Sequence, residues 1–213
     1  MNWEDEGYLL SKKKFRENAV IISAFTKTHG KISGIVYGGT SRKIKNYLQV
    51  GNRIFFIHSS KNRNKLGYLK TEIIEAISPR YFNDKKRSYL ILSIADLLNS
   101  LLPDEEPHNN IYLSLDNLIR NLDDKSWPLI YSFWEVNLIK ELGFGFTTDQ
   151  SSSSKDILSI NIDNISYKVP KFIINGEIPV SFSKEIINHA LSFTRNLMLN
   201  KFFLPNNLYL PKS

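Results

Sequence analysis

The stretch from Val36 to Asn52, VYGGTSRKIKNYLQVGN, sets Arg42, Lys43 and Lys45 directly behind a glycine pair, Gly38-Gly39, with no acid among them. Two chemistries suit that pattern. A glycine-rich turn followed by cations can cradle a nucleotide phosphate, and cations around an exposed turn can hold a nucleic-acid backbone by displacing its counterions. The first fails on spacing. Gly38-Gly39-Thr40-Ser41-Arg42-Lys43 does not satisfy GxxxxGK[ST], and no helical pattern follows it. The second gains from its neighbourhood. Lys12, Lys13, Lys14, Arg16, Lys27, Lys31, Arg53, Lys61, Arg63 and Lys65 also fall near strand ends or loops of the same β-rich segment. Phe15, Tyr37, Tyr47, Phe55 and Phe56 are interleaved with them, as base-stacking platforms require. The plainer alternative is a solvated charged face over an aromatic core. Glu17 is the one acid between Gly7 and Thr71, and that near absence favours binding.

Catalysis has little to draw on. The histidines at 29, 58, 108 and 189 show no ligand spacing and read as solvated turn or surface residues. Asp104-Glu105-Glu106, between two prolines, reads as a polar loop. The absence of cysteine excludes disulfides, thiolate metal sites and cysteine nucleophiles. The chain is expected to be no enzyme and to need no metal or cofactor.

The positive charge is confined. Residues 1–80 carry 15 Lys/Arg against 6 Asp/Glu, whereas the remainder carries 13 against 15, for a net +7 overall. Such asymmetry points to nucleic acid or an acidic surface as partner. With 213 residues, 42% of them hydrophobic, the chain can bury a real core as one large or two small domains. The N-terminus MNWEDEGYLL has acids where a signal peptide has cations, and the apolar run Tyr89–Leu102 is too short to span a bilayer. A soluble, cytoplasmic protein is expected, with no membrane partner.

The elements that must position these residues change type near Pro79. Before it the pattern is β: Gly7–Leu10 leads into Lys12-Lys13-Lys14, and strands follow at 19–25, 31–37, 53–58 and 66–77, with a turn at 27–30. Five short strands in about 80 residues suit a small barrel or sandwich. After it the period is helical. Leu90, Ile94, Leu97, Leu98 and Leu101 share a face, as do Ile111, Leu115, Leu118, Ile119 and Leu122. Ser126-Trp127-Pro128 reads as a helix start, followed by a stripe of Trp127, Ile130/Tyr131, Trp134, Leu138 and Leu142, and Gly143 as the stop. Ser183 caps a last helix with Ile186, Ile187, Ala190, Leu191, Thr194, Leu197 and Met198 inward. Between these helices Gln150–Ser154 reads as a flexible link, and Ile157–Ile162 and Ile165–Ile174 flank an Asp163-Asn164 turn. The fold class is therefore α+β, with a β-domain over 1–80 and a helical domain over 81–213 that carries a hairpin insert at about 156–174.

Several motifs resemble one family. Trp3-Glu4-Asp5-Glu6-Gly7, Phe25-Thr26-Lys27-Thr28-His29-Gly30, Gly38–Lys43 leading to Leu48–Asn52, and Glu141-Leu142-Gly143-Phe144-Gly145 are ordered as in the bacterial recombination mediator RecO, over residues 1–146. The resemblance implies an N-terminal OB-fold barrel and a C-terminal helical domain. It implies nucleoid association, binding of single- and double-stranded DNA, and annealing of complementary strands. It also implies partnership with RecR and with the acidic C-terminal tail of single-stranded-DNA-binding protein (SSB), so that the RecA recombinase is loaded. Lys31, Arg42, Lys43 and Lys45 match the family's basic positions, with Gly38 and Gly39 as backbone pivot, and Lys12, Lys13 and Arg16 join them as expected DNA contacts. Many relatives carry a four-cysteine zinc module after the Gly-Phe-Gly segment. Thr147–Ser151 has none, so the hairpin is expected to hold that place by apolar packing. The tail Leu204–Leu208 lacks the basic residues often seen near the family's end. An adaptor whose β-domain binds an acidic protein, and an RNA-binding OB protein, remain alternatives.

Overall fold

The computed structural model describes residues 2–60, 66–144 and 156–208. The linker Gln150–Ser154 and the cations Lys61, Arg63 and Lys65 lie outside them. Two compact units divide inside one helix, residues 1–112 and 113–210.

The first unit is built on a closed five-stranded barrel. Strands β1 (Asn2–Arg16), β2 (Ala19–Thr26), β3 (Gly30–Tyr37), β4 (Arg53–Ser59) and β5 (Gly67–Glu75) run in the order β1-β2-β3-β5-β4, and β1 pairs with β4 to close the ring. All pairings are antiparallel except β3 with β5. This is the OB arrangement that the sequence pattern and the resemblance led us to expect. Alternating side chains of the strands fill the interior: Leu9, Val20, Ile22, Ala24, Ile32, Val36, Ile54, Phe56 and Leu69 form one buried cluster. Two details differ from the sequence reading. β1 does not end before the lysines but runs through Lys12–Arg16, paired to β2, with irregularities at Leu10 and Phe15. A helix does follow the glycine pair, α1 (Arg42–Tyr47), only six residues long.

The motif residues near the N-terminus build a clasp. Asp5 is buried, and its Oδ2 accepts from Thr28 N (2.9 Å), Thr28 Oγ1 (2.7 Å) and His29 N (3.0 Å), with His29 Nδ1 at 2.8 Å. Burial alone would raise the Asp5 pKa, but these hydrogen bonds outweigh it and hold the carboxyl below its usual value. Trp3 lies flat between His29 and His58, at ring separations of 4.0 and 4.5 Å. Both histidines are therefore stacking partners; His29 also keeps its place in the turn before β3, 35% exposed, whereas His58 lies on β4. A lowered carboxyl pKa contributes stability that is present above the unfolded value of about 4 and is lost as pH falls through the folded one. Asp5→Ala is expected to cost about 2–3 kcal/mol at neutral pH by urea titration, with the deficit shrinking in acid.

Beyond a 3-10 turn at Ser78–Tyr81, helix α2 (Lys85–Leu101) packs on β1 and β2. Asp84 caps it by accepting from Lys86 N and Arg87 N. Leu90, Ile94, Leu97 and Leu98 are buried as expected, joined by Ile91 and Ala95.

Helix α3 (Asn109–Arg120) crosses into the second unit, which continues with α4 (Trp127–Glu141), the hairpin β6–β7 (Ile157–Ile162 and Ile165–Pro170), α5 (Lys171–Asn175) and α6 (Lys184–Met198). α4 is not striped as expected. Leu129, Ser132, Val136 and Ile139 are buried along with Tyr131, Trp134 and Leu138, so the helix is enclosed nearly all round. Asp163 and Asn164 both have positive φ, at 51° and 64°, as a two-residue hairpin turn demands. The second strand stops at Pro170, earlier than Ile174, because proline has no N–H to continue the ladder and its φ of −61° starts α5. The hairpin rests on α6 through Tyr167, whose ring meets Phe193 edge-on at 5.7 Å, and Val169 is fully buried. Among the described residues no helix is long and apolar enough to cross a membrane.

Candidate nucleic-acid interface

Helix α1 is the element that gathers the cations. Its sequence RKIKNY splits by side: Ile44 and Tyr47 turn inward and pack with Leu48 on the barrel cluster, leaving Arg42, Lys43 and Lys45 exposed. The Tyr47 hydroxyl donates to Thr71 O at 2.7 Å, which pins the helix to β5. Ser41 caps it, accepting from Ile44 N.

The glycines set up this placement by packing. Gly38 has φ +70°, a conformation open to glycine at little cost, and Ser41 N donates to its carbonyl at 2.8 Å. Gly39 is buried, and a Cβ there would stand 2.4 Å from Val20 Cγ2. The pair is thus a tight turn wedged on the barrel wall, where the sequence suggested a flexible pivot.

The tip of the β1–β2 hairpin joins the same end. The Thr40 hydroxyl donates to Glu17 O at 3.1 Å, tying the glycine turn to that tip. Lys12 Nζ donates to Leu48 O at 2.6 Å, at the end of α1. Desolvation there, and secondarily the nearby Lys45 charge, hold the Lys12 ammonium below its usual pKa. Lys12, Lys13, Lys14, Arg16, Arg42, Lys43 and Lys45 are all exposed. Among the described residues no carboxylate pairs with any of them. A cluster of mutually repelling cations gains from a polyanion, which relieves the repulsion and releases counterions.

A family model for the N-terminal domain of recombination protein O matches residues 1–77, and one for its C-terminal domain matches residues 83–200. The chain belongs to the RecO family. It is 32% identical over 150 residues to DNA repair protein RecO of Roseobacter denitrificans, covering 70% of this chain and 62% of that one. The corresponding protein of Cereibacter sphaeroides is 34% identical over 145 residues, covering 68% of this chain and 60% of that relative. Against the RecO of Rickettsia typhi the identity is 28% over 224 residues, spanning 97% of this chain and 93% of that relative. The first two alignments thus span less than two thirds of those relatives' length.

Within this RecO-family barrel not every expected cation joins the cluster. Lys31 lies by the β2–β3 turn, where its ammonium donates to Asn99 O at 2.9 Å and pairs with Asp104 at 3.3 Å. Lys27 belongs to that same turn. Arg53 is half-buried and pairs across β4 and β1 with Glu6 at 2.6 Å. Of the aromatics, Phe56 is core and Tyr47 is anchored to β5, whereas Phe15 and Tyr37 are exposed. Tyr68 was missed. It stacks on Tyr37 with ring centroids 5.3 Å apart, and the alternation of β5 (buried Gly67 and Leu69, exposed Tyr68 and Lys70) was the signal that could have found it.

Proposed function

We propose that this chain is a DNA repair and recombination mediator whose β-domain, residues 1–80, binds single- and double-stranded DNA through Lys12, Lys13, Arg16, Arg42, Lys43 and Lys45. The observation that carries this reading is the convergence of α1 and the β1–β2 hairpin tip into one cationic end that, among the described residues, no carboxylate pairs with. Phosphate contacts of this kind hold any sequence and leave base edges free. That is the physical requirement for annealing: two backbones must be brought together against repulsion while their bases remain available to pair. No bond chemistry is needed. The names of the relatives support a repair role, and the resemblance adds RecR and the SSB tail as partners and RecA as the recombinase loaded. An acidic, hydrophobic-ended tail needs an apolar floor with a cationic lip. The groove lined by Lys12, Val50, Phe82, Ile91 and Leu92, about 340 Å³, offers both.

The deciding experiment combines fluorescence anisotropy on single-stranded DNA, duplex DNA and RNA with a strand-annealing assay in the presence and absence of SSB. Binding to both DNA forms, with annealing that persists on SSB-coated strands, is the expected result. Binding to RNA alone, or to no nucleic acid, overturns the reading in favour of an RNA-binding or acidic-partner protein.

A further inference from the structure

Tyr37 and Tyr68 are large aromatic side chains left in solvent beside the cations, and neither the core nor the phosphate contacts account for them. Tyr37 ends β3 and is 51% exposed; Tyr68 is the second residue of β5 and is 45% exposed. The rings stack at 5.3 Å with an interplanar angle of 23°, across the one parallel pairing of the barrel, in which Ile35 faces Tyr68. The antiparallel register sets Arg16, Ala19 and Tyr37 side by side on three successive strands. The guanidinium of Arg16 lies 5.2 Å from the ring centre of the exposed Phe15. Gly38, which follows Tyr37, opens the turn that leads to α1. Aromatic faces and phosphate-binding cations therefore alternate over one short path: Phe15, Arg16, the tyrosine pair, then Arg42, Lys43 and Lys45.

From this placement we propose that Tyr37 and Tyr68 form a stacking platform for unpaired bases of single-stranded DNA, so that the barrel distinguishes single strands from duplex. The proposal rests on the DNA-binding reading above and adds a division of labour to it. An existing aromatic stack accepts a base on an exposed face without reorganising, and stacking tolerates any base because every base has a π-face. Duplex DNA hides those faces within its own stack, so it meets only the cations. Arg16 suits the phosphate between stacked bases, and its delocalised charge also packs on aromatic rings.

The test is a Tyr37→Ala/Tyr68→Ala variant beside Tyr37→Phe/Tyr68→Phe, each titrated with an oligothymidylate and a blunt duplex. The alanine variant is expected to lose roughly 10-fold or more in single-strand affinity and under about 2-fold on duplex, with the single-strand salt slope unchanged, because no phosphate contact is removed. The phenylalanine variant should bind as the parent does. Equal loss on both forms, no loss on either, or loss in the phenylalanine variant overturns the platform. Parent protein that binds neither probe defeats the DNA reading instead, so the two failures are distinguishable. Should the alanine variant not fold, Tyr68→Trp decides. Oligothymidylate but not duplex should quench its added fluorescence, and the absence of that quenching overturns the proposal.

Discussion

Replacing Arg42, Lys43 and Lys45 together with alanine should weaken single-stranded DNA binding by roughly 100-fold at about 0.1 M salt. Each single-strand phosphate contact releases about 0.7 of a counterion, and the three contacts together carry that loss. The salt slope should shrink by about 0.7 of a unit per contact removed, and by the same amount for oligonucleotides of unrelated sequence, because phosphates and not base edges are being held. The fold should not change. The three side chains are exposed, alanine favours helix, and the inward anchors Ile44, Tyr47 and Leu48 remain. A thermal melt coincident with the parent's therefore accompanies the expected result. Lys12 supplies an internal check: its ammonium is held down partly by Lys45, so removing that charge should let its pKa rise, visible in a lysine-resolved NMR titration. An unchanged salt slope would refute the role given to α1. Lys31→Ala, by contrast, should leave the slope alone, since its ammonium is already engaged by Asn99 and Asp104.

How much of this could be read from the chain depends on the distance over which each contact acts. The barrel strands were legible because period-two patterning and turn glycines are local signals, and so were the helix start at Ser126-Trp127-Pro128 and the cap at Ser183. The continuation of β1 through Lys12–Lys14 was not, because three consecutive lysines suit a strand only where its partner strand supports it outside the core. Helix α1 was missed for a related reason. Six residues with two inward side chains carry no helical period, and tertiary contacts of Ile44, Tyr47 and Leu48 hold the helix in place. The roles of single residues were least legible. Asp5 meets His29 over a separation of 24 residues, and Lys31 meets Asn99 over 68. Composition could count the cations but could not say which were already partnered. Tyr68 needed the non-local β3–β5 pairing before its place beside Tyr37 had any meaning.

The second unit carries a titration that the sequence did not announce. Glu135 lies on α4 at 6% exposure and accepts a hydrogen bond from the Thr194 hydroxyl of α6. Burial pushes its carboxyl up to about 7, because desolvation of the charge outweighs the hydrogen bonds from Thr194 and Tyr131 and the attraction of Arg195. The sign follows from the protons. Below the ordinary carboxyl value of 4.5 both states are protonated and there is no penalty. Between there and about 7 the unfolded chain gives up its proton while the folded chain keeps it, so stability falls as pH rises. Above that range both are ionised and the penalty is constant, at about 3 kcal/mol on the scale of 1.36 kcal/mol per pKa unit. Glu135→Gln keeps the shape and an oxygen that accepts from Thr194 but cannot ionise. The variant should match the parent near pH 4.5 and be more stable by up to about 3 kcal/mol at pH 8, measured by urea unfolding across the series. The parent-minus-variant difference is the quantity to read, since contributions common to both proteins cancel in it. A difference that stays flat from pH 4.5 to 8 would show that Glu135 is ionised throughout. Glu135→Ala is the contrasting case: it leaves the Thr194 hydroxyl without its acceptor and opens a void between α4 and α6, so it should destabilise at every pH.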